Sequence, residues 1–280
     1  MKTIKDYCLN NIDKLTDYNQ NGFEWKSTYD MLKLQKNKLF NTIYNEIPDL
    51  IDRIIIIKHI QEKKYFLAFI EIMLWGQIGA RPGSNKSKKT EILEKVINYN
   101  QKNINIIFEL SVSDNIKDIE NLYSKLENNG DLKIPEVDVS YFTKILSFAS
   151  ESSKNEFKLL IFDKWTKLVH VHLCSDLNDN TIEEFYTINT ISKLYYKSEK
   201  ENIPTTKLIY PKKGKSFKTY IDYCKKMDFL AKTLSKESGR EITAFKLEAF
   251  LFGTDLKGKN NKTDNNPRYW IQQNFAKSYL

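Results

Sequence analysis

Apolar residues recur at helical spacing along most of the chain, and short polar breaks separate the periodic stretches. The stretch Ile43–Ile60 shows this spacing after a Pro-Asp start, and the helical flanks outweigh the strand propensity of its four consecutive isoleucines. Tyr65–Trp75 is apolar on nearly every side, which is typical of a buried helix. The first part of the chain is therefore predicted to be helical.

The remaining periodic stretches extend the same prediction to the end of the chain. Further helices are expected at Glu91–Tyr99, Asn115–Asn128, Ser140–Ala149, Trp165–Leu173, Ser216–Ser235, Glu241–Phe252 and Tyr269–Tyr279. Breaks are expected at Gly79–Lys88 and Asn128–Asp131, and the tail 253–267 is polar. The fold class is thus all-α or nearly so, with two helical lobes around a cleft. We expect regions 1–130 and 131–280 to interleave as one compact unit.

Composition agrees with a folded protein. Among 280 residues, 41% are hydrophobic and 13% aromatic, enough for a substantial core. No apolar stretch reaches the roughly 20 residues that a membrane span needs, and the N-terminus lacks the apolar core of a signal peptide. Three widely spaced cysteines give no disulfide framework. We therefore expect a cytoplasmic protein without a membrane partner.

The net charge of +8 favours nucleic acid as a partner. A lysine-rich bias of the kind that an AT-rich coding sequence produces is the competing explanation, so clusters are more informative than the total. Two basic, loop-like segments suit phosphate contacts that do not depend on sequence, although either could be a solvated loop. Their candidate DNA-binding residues are Arg81, Lys86, Lys88, Lys89, Lys212, Lys213 and Lys215.

The segment 134–173 carries the candidate chemistry. A short turn, Ile134-Pro135-Glu136-Val137-Asp138, leads into the amphipathic helix that holds Ser140 and Lys144. Farther on, the apolar run Leu159–Phe162 ends in Asp163, which opens another helix. A carboxylate next to an apolar run is costly to desolvate. Asp163 is therefore either a helix N-cap or a functional group, and both roles can coexist.

This segment resembles the helix-hairpin-helix DNA glycosylases, most closely a divergent bacterial branch with the 8-oxoguanine glycosylase fold. In that superfamily a Leu-Pro-Gly-Val-Gly hairpin leads into a helix, and an apolar run ends in the catalytic aspartate. The divergent branch also carries a Ser-Phe-Phe-Thr-Lys-like run, which residues 140–144 match. It closes on a long helix, a short loop and a helix ending in Leu-Phe, as residues 219–252 do. The likeness covers roughly the second half of the chain.

The resemblance implies a DNA glycosylase that excises a damaged or modified base by attack at the sugar C1′, with Asp163 catalytic. Lys144 precedes Asp163 by 19 positions, close to the separation in bifunctional members, so it is the candidate Schiff-base nucleophile. A strict alignment of the hairpin places Ser140 there instead and implies a monofunctional enzyme. Both alignments stay open. Flipped bases are held between aromatic rings, and the pocket candidates are Trp75, Tyr141, Phe142, Trp165, Phe245 and Phe252.

The hairpin departs from the family pattern, because Glu136 and Asp138 replace its two glycines. Glycine permits positive φ and a close approach of backbone amides to phosphate, whereas two carboxylates repel a DNA backbone. The alternative function is accordingly a non-catalytic nucleic-acid-binding protein, or an assembly protein with protein partners in a defence system against foreign DNA, that retains the glycosylase fold.

Other cofactor chemistry has little support. His170 and Cys174 share a helical face and His172 does not join them, so this part of the sequence provides only two ligands for zinc. The glycines near residue 80 lack the Gly-Lys-Ser/Thr ending of a nucleotide-binding loop. We expect neither a metal nor a cofactor.

Overall fold

A computed structural model describes residues 3–20, 22–79, 84–127, 130–176, 182–188, 209–252 and 266–279. Helices make up most of these residues. In chain order they are α1 (Ile4–Asn10), α2 (Ile12–Asp17), α3 (Met31–Leu34), α4 (Lys38–Ile43), α5 (Arg53–Gln61), α6 (Tyr65–Trp75), α7 (Lys86–Ile97), α8 (Gln101–Ser111), α9 (Ile116–Leu126), α10 (Val139–Ser152), α11 (Lys164–Asp176), α12 (Ile182–Phe185), α13 (Ser216–Ser238), α14 (Ala244–Phe252) and α15 (Pro267–Tyr279).

The strands in the described residues form two short antiparallel pairs. Strand β1 (Phe23–Glu24) pairs with β2 (Leu50–Ile51), and β3 (Tyr186–Ile188) pairs with β4 (Ile209–Pro211). The nearly all-α class predicted from the sequence is therefore confirmed. None of the described helices combines the length and hydropathy needed to cross a membrane.

Two predicted elements differ from the structure. The stretch Ile43–Ile60 is not one helix, because β2 interrupts it and α5 begins only after Asp52, whose side chain accepts a hydrogen bond from the Ile55 amide. The isoleucine run itself is helical, as its flanks predicted. The basic segment before residue 90 is not all loop. Asn85 caps α7, so Lys86, Lys88 and Lys89 lie in its first turns.

The chain forms two compact units. One consists of residues 21–161 and is called the hairpin unit below; the other consists of residues 1–20 and 162–280 and is called the aspartate unit. The division falls between Ile161 and Phe162, and the first twenty residues belong to the same unit as the end of the chain. The reason is packing at long range, since α1 contacts α11 and α13.

In the hairpin unit, α6 is the central helix. Its residues Leu67–Leu74 are all buried, and it packs against α5, α8 and α10. The apolar character all round that marks α6 in the sequence follows from this position. Glu71 is a buried carboxylate within α6, and its Oε2 lies 2.8 Å from Nδ1 of His59.

In the aspartate unit, the 23-residue helix α13 packs against α1, α11, α12 and α14. It ends at Gly239, whose φ of 69° is the left-handed conformation that glycine adopts without strain. Helix α15 packs on α11 and α14, and the buried imidazole of His172 lies with Nε2 3.0 Å from the carbonyl of Ile271. The C-terminal helix is thereby fixed to α11.

Candidate functional site

Asp163 is the N-cap of α11. Its Oδ1 accepts hydrogen bonds from the amides of Trp165 (2.7 Å) and Thr166 (3.1 Å), which have no partner within the helix. The Asp163 amide donates in turn to the Thr166 hydroxyl at 2.7 Å. No described residue donates to the other oxygen, Oδ2. The start of α11 thus holds one carboxylate oxygen through two amide hydrogen bonds.

Aromatic and cationic groups lie near this cap within the aspartate unit. The guanidinium carbon of Arg268, on α15, lies 5.1 Å from the centre of the Trp165 ring. Its Nη2 donates to the carbonyl of Phe252 at 2.5 Å. Burial raises the pKa of Tyr223 well above its usual value, and the charges of nearby groups, including Asp163, add to that effect. Asp163 itself is half-buried.

The segment before α10 forms a tight turn without glycine. Glu136 has a φ of 63°, a left-handed conformation that favours glycine. The amide of Val137 donates to the carbonyl of Ile134 at 3.2 Å, so Pro135 and Glu136 are the central residues of a β-turn of the kind that places proline first and a positive φ second. The Glu136 carboxylate pairs with Lys95 at 2.7 Å.

The second replacement in the hairpin has a structural role. Asp138 is the N-cap of α10, and its Oδ1 accepts from the Ser140 amide at 3.0 Å and from the Ser140 hydroxyl at 2.7 Å. Capping by aspartate stabilises a helix start by about 1 kcal/mol. Both Asp138 and the hydroxyl of Ser140 are therefore engaged in starting α10.

Lys144 lies on the same face of α10 as Ser140. Its Nζ donates to the Ser140 carbonyl at 2.7 Å and lies 4.7 Å from the centre of the Tyr141 ring. Gly76, at the end of α6, provides the space for both side chains, because a Cβ there would meet Tyr141 at 3.1 Å and Lys144 at 3.2 Å. Lys144 is half-buried beside the end of α6.

The six aromatic candidates divide by burial. Phe142 and Phe245 are buried, and Phe142 packs edge-on against Tyr123, so core packing accounts for them. The four half-buried candidates are Trp75, Tyr141, Trp165 and Phe252. Trp75 packs edge-on against Phe148 at 5.2 Å, and Tyr141 donates to the carbonyl of Gln77 at 3.2 Å.

The basic candidates lie at two helix starts. Lys86 and Lys88 are exposed and Lys89 is half-buried in the first turns of α7, whereas Arg81 lies outside the described residues. Lys212 and Lys213 are exposed in the turn before α13. That turn contains Gly214 with a φ of 75° and is closed by the Lys215 amide, which donates to the Lys212 carbonyl at 2.9 Å. Lys215 lies 3.9 Å from Glu184 and is partly neutralised.

One group among the described residues has metal-ligand chemistry: His170, Cys174 and Asp222, whose ligand atoms lie within 4.8 Å of one another. Sequence spacing could not add Asp222, which comes from α13. The Asp222 oxygen that lies 2.7 Å from His170 Nε2 also accepts from the Lys226 ammonium at 2.6 Å. Tyr186 lies 2.6 Å from the other ring nitrogen of His170. The Lys226 ammonium thus provides the positive charge beside Asp222, and these side chains form a hydrogen-bonded network.

Arg268 is the residue near Asp163 that sequence reasoning missed. Arginine is rare in this chain, with only four among 44 basic residues, and that rarity is the sequence feature that could have drawn attention to Arg268. The described arginines each bind fixed acceptors: Arg53 binds Glu151 and Ser147, and Arg240 binds Asp13 and Thr16. Arginine provides a planar fork of donors that lysine lacks.

Comparison with known proteins bears on both units. The model of the family described as "Putative 8-oxoguanine DNA glycosylase OGG-like protein" matches residues 17–252. No curated protein and no solved structure matches the chain. The matched region includes the hairpin, Lys144 and Asp163, and it ends before α15. Since it spans most of the sequence, the chain belongs to this OGG-like 8-oxoguanine DNA glycosylase family.

Proposed function

We propose that this protein is a DNA glycosylase that removes a damaged or modified base, with Asp163 as its catalytic carboxylate. The orientation of that carboxylate is the observation that carries the proposal. Two amides at the start of α11 fix Oδ1, and no described residue donates to Oδ2. A preorganised charge stabilises a developing opposite charge at little cost in reorganisation. Membership of the OGG-like family supports the same assignment.

In the monofunctional form of this reaction, Asp163 acts as an anion beside the sugar. The N-glycosidic bond breaks, the base leaves with the bonding electrons, and positive charge develops at C1′. Oδ2 stabilises that charge and orients a water molecule, which adds to C1′ and gives up a proton. The half-buried position of Asp163 strengthens the electrostatic effect relative to water.

In the bifunctional form, Lys144 is the nucleophile. Its neutral amine attacks C1′ as the base leaves, opening of the sugar ring gives a Schiff base, and loss of a C2′ proton then expels the 3′-phosphate. Lys144 must first leave the Ser140 carbonyl that its Nζ contacts at 2.7 Å. The Ser140 hydroxyl is engaged by Asp138, which favours Lys144 as the reactive residue of this helix. We prefer the bifunctional assignment on this ground.

DNA binding in this proposal uses the exposed lysines before α13 and in the first turn of α7. Lys212, Lys213, Lys86 and Lys88 are exposed, and such side chains contact phosphates without reading sequence. The half-buried Trp75, Tyr141, Trp165 and Phe252 remain the candidates for base contact.

A base-release assay tests the proposal. Duplexes carrying a panel of oxidised, alkylated, deaminated and hypermodified bases are incubated with the wild type, with Asp163→Asn and with Asp228→Asn. Asp228 is a matched control on α13 that pairs with Lys232 at 2.6 Å. We expect release of at least one base, a fall by orders of magnitude for Asp163→Asn and full activity for Asp228→Asn. Full release by Asp163→Asn would contradict the assignment.

Borohydride trapping separates the two forms. If Lys144 forms a Schiff base, the wild type becomes covalently attached to DNA and Lys144→Gln does not, whereas Lys102→Gln, an exposed lysine on α8, still does. In the monofunctional form no adduct forms in any variant, and Lys144→Gln weakens mainly DNA binding.

The second candidate function is a non-catalytic nucleic-acid-binding or defence-assembly protein with the glycosylase fold. It is favoured by the hairpin, where Glu136 and Asp138 bring two carboxylates to the position at which the family pattern has glycines. Lys95 neutralises the first, and the second caps α10. DNA binding without release of any base in the panel would support this candidate over the enzyme.

A further inference from the structure

The C-terminal helix α15 contributes Arg268 to the surroundings of Asp163, although α15 lies beyond the region that matches the family model. Arg268 is the second residue of α15 and is half-buried. In a chain that uses lysine for nearly all of its positive charge, an arginine at an inward position indicates a requirement for its planar shape.

Arg268 connects three helices of the aspartate unit. Its Nη2 donates to the carbonyl of Phe252, the last residue of α14, where the carbonyl groups at a helix end carry partial negative charge. Its guanidinium carbon lies 5.1 Å from the centre of the Trp165 ring near the start of α11. Trp165 in turn donates its amide to Oδ1 of Asp163. The contact chain therefore runs from α14 through Arg268 and Trp165 to the carboxylate.

The Arg268 guanidinium also lies within the electrostatic influence of Asp163. Burial lowers the pKa of Arg268, while the negative charge of Asp163 acts to raise it. The Arg268 Nε is buried and donates to no described atom. The neutral acceptors around Arg268 therefore do not use all of its N–H donors.

We propose that Arg268 is a positioning residue for Asp163: it holds the Trp165 turn in place, so that α15 completes the site. This inference rests on the proposed catalytic role of Asp163.

The test compares Arg268→Gln, which removes charge and fork, with Arg268→Lys, which keeps the charge alone. Arg240→Gln is the control, since Arg240 is exposed in the same unit and binds Asp13 and Thr16. The first readout is amide hydrogen exchange of Trp165 and Thr166 by NMR, which needs no catalytic activity. We expect about fivefold faster exchange in both Arg268 variants, equivalent to a weakened helix cap, and no change in the control.

The second readout is single-turnover base release as a function of enzyme concentration. We expect the maximal rate of Arg268→Gln to be about threefold to tenfold lower than that of the wild type, while the enzyme concentration that gives half of the maximal rate stays unchanged. Arg240→Gln should match the wild type in both quantities. A rise in the half-saturating concentration without a fall in the maximal rate would contradict the positioning role.

The outcomes separate this inference from the proposed function. Unchanged amide exchange in both Arg268 variants would overturn the positioning role, whatever the enzyme does. Absence of base release by the wild type would defeat the proposed function, while faster exchange would still support the link from Arg268 to the Asp163 cap. If Arg268→Gln fails to fold by circular dichroism, Arg268→Lys decides alone, by faster or unchanged exchange.

Discussion

The stability of the aspartate unit should fall on acidification because of one buried imidazole. His172 is 5% exposed, and burial lowers its pKa to about 4 from an ordinary 6.5, although its hydrogen bond with Ile271 opposes the shift. The unfolded chain therefore binds a proton before the folded chain does. The contribution of His172 to stability is complete above pH 6.5 and decreases as the pH falls towards 4. Between about pH 7.5 and pH 5 the loss is about 2 kcal/mol, at about 1.36 kcal/mol for each pH unit.

The assay is urea unfolding at both pH values, followed by hydrogen exchange and mass spectrometry on peptides from α11 and α15. The variant His172→Gln provides an amide donor for the Ile271 carbonyl but does not titrate. The wild type should lose about 2 kcal/mol more than the variant between about pH 7.5 and pH 5. Carboxylates that titrate in the same range affect both proteins equally. An equal loss in the two proteins would refute the reasoning.

Three further predictions concern single side chains. Burial raises the pKa of Glu71 to about 7 from an ordinary 4.5. Its contribution to stability is therefore present below pH 4.5 and is lost as the pH rises through 7. Between about pH 4.5 and pH 8, the free energy of unfolding of the wild type, measured by urea titration, should fall by about 3 kcal/mol relative to that of Glu71→Gln. Asp163→Ala should lower the free energy of unfolding by about 1–2 kcal/mol and Asp163→Asn by a few tenths, because asparagine also caps helices; equal losses would exclude the cap. The double change Lys212→Gln and Lys213→Gln should reduce the salt slope of DNA binding by about 1.8, measured by fluorescence anisotropy, whereas Lys225→Gln should leave it unchanged.

Helices were predictable where the signal is local. The apolar character of Tyr65–Trp75 is read from neighbouring residues, and α6 has the predicted bounds. The predicted helix Ser216–Ser235 is α13, which extends three residues further to Ser238. The prediction of a helix over Ile43–Ile60 was wrong in its first part, because helical spacing persists across a proline that cannot donate an amide hydrogen bond. The true start is Asp52, whose side chain caps α5. A periodic apolar pattern does not specify the backbone conformation, so it does not show at which residue a helix begins. Here the Asp52 cap marks the start of α5.

The candidate site likewise contains local features, which can be read from the sequence, and long-range contacts, which cannot. The N-cap role of Asp163 and the turn at Glu136 depend on residues within four positions. The sequence predicted the short turn and left the N-cap as one of two roles for Asp163. Arg268 was not predicted, because its contacts with Trp165 and Phe252 require α11, α14 and α15 to pack together. The same holds for Asp222, which reaches His170 across 52 positions. Residues that come together from distant elements have no characteristic spacing in the sequence, so a motif search does not find them.

The two oxygens of Asp163 explain how one residue can be both a cap and a proposed catalyst. Capping needs one acceptor, which is Oδ1, and it fixes the plane of the carboxylate without using Oδ2. The site gains a rigid orientation from the same bonds that start α11, so no separate group has to hold the side chain. The substitution Asp163→Asn keeps the acceptor and places an amide donor where Oδ2 stands, so it should preserve α11 while presenting a partial positive charge to the sugar. A folded Asp163→Asn protein without base release would thus assign the lost rate to the charge of Oδ2 and not to the helix.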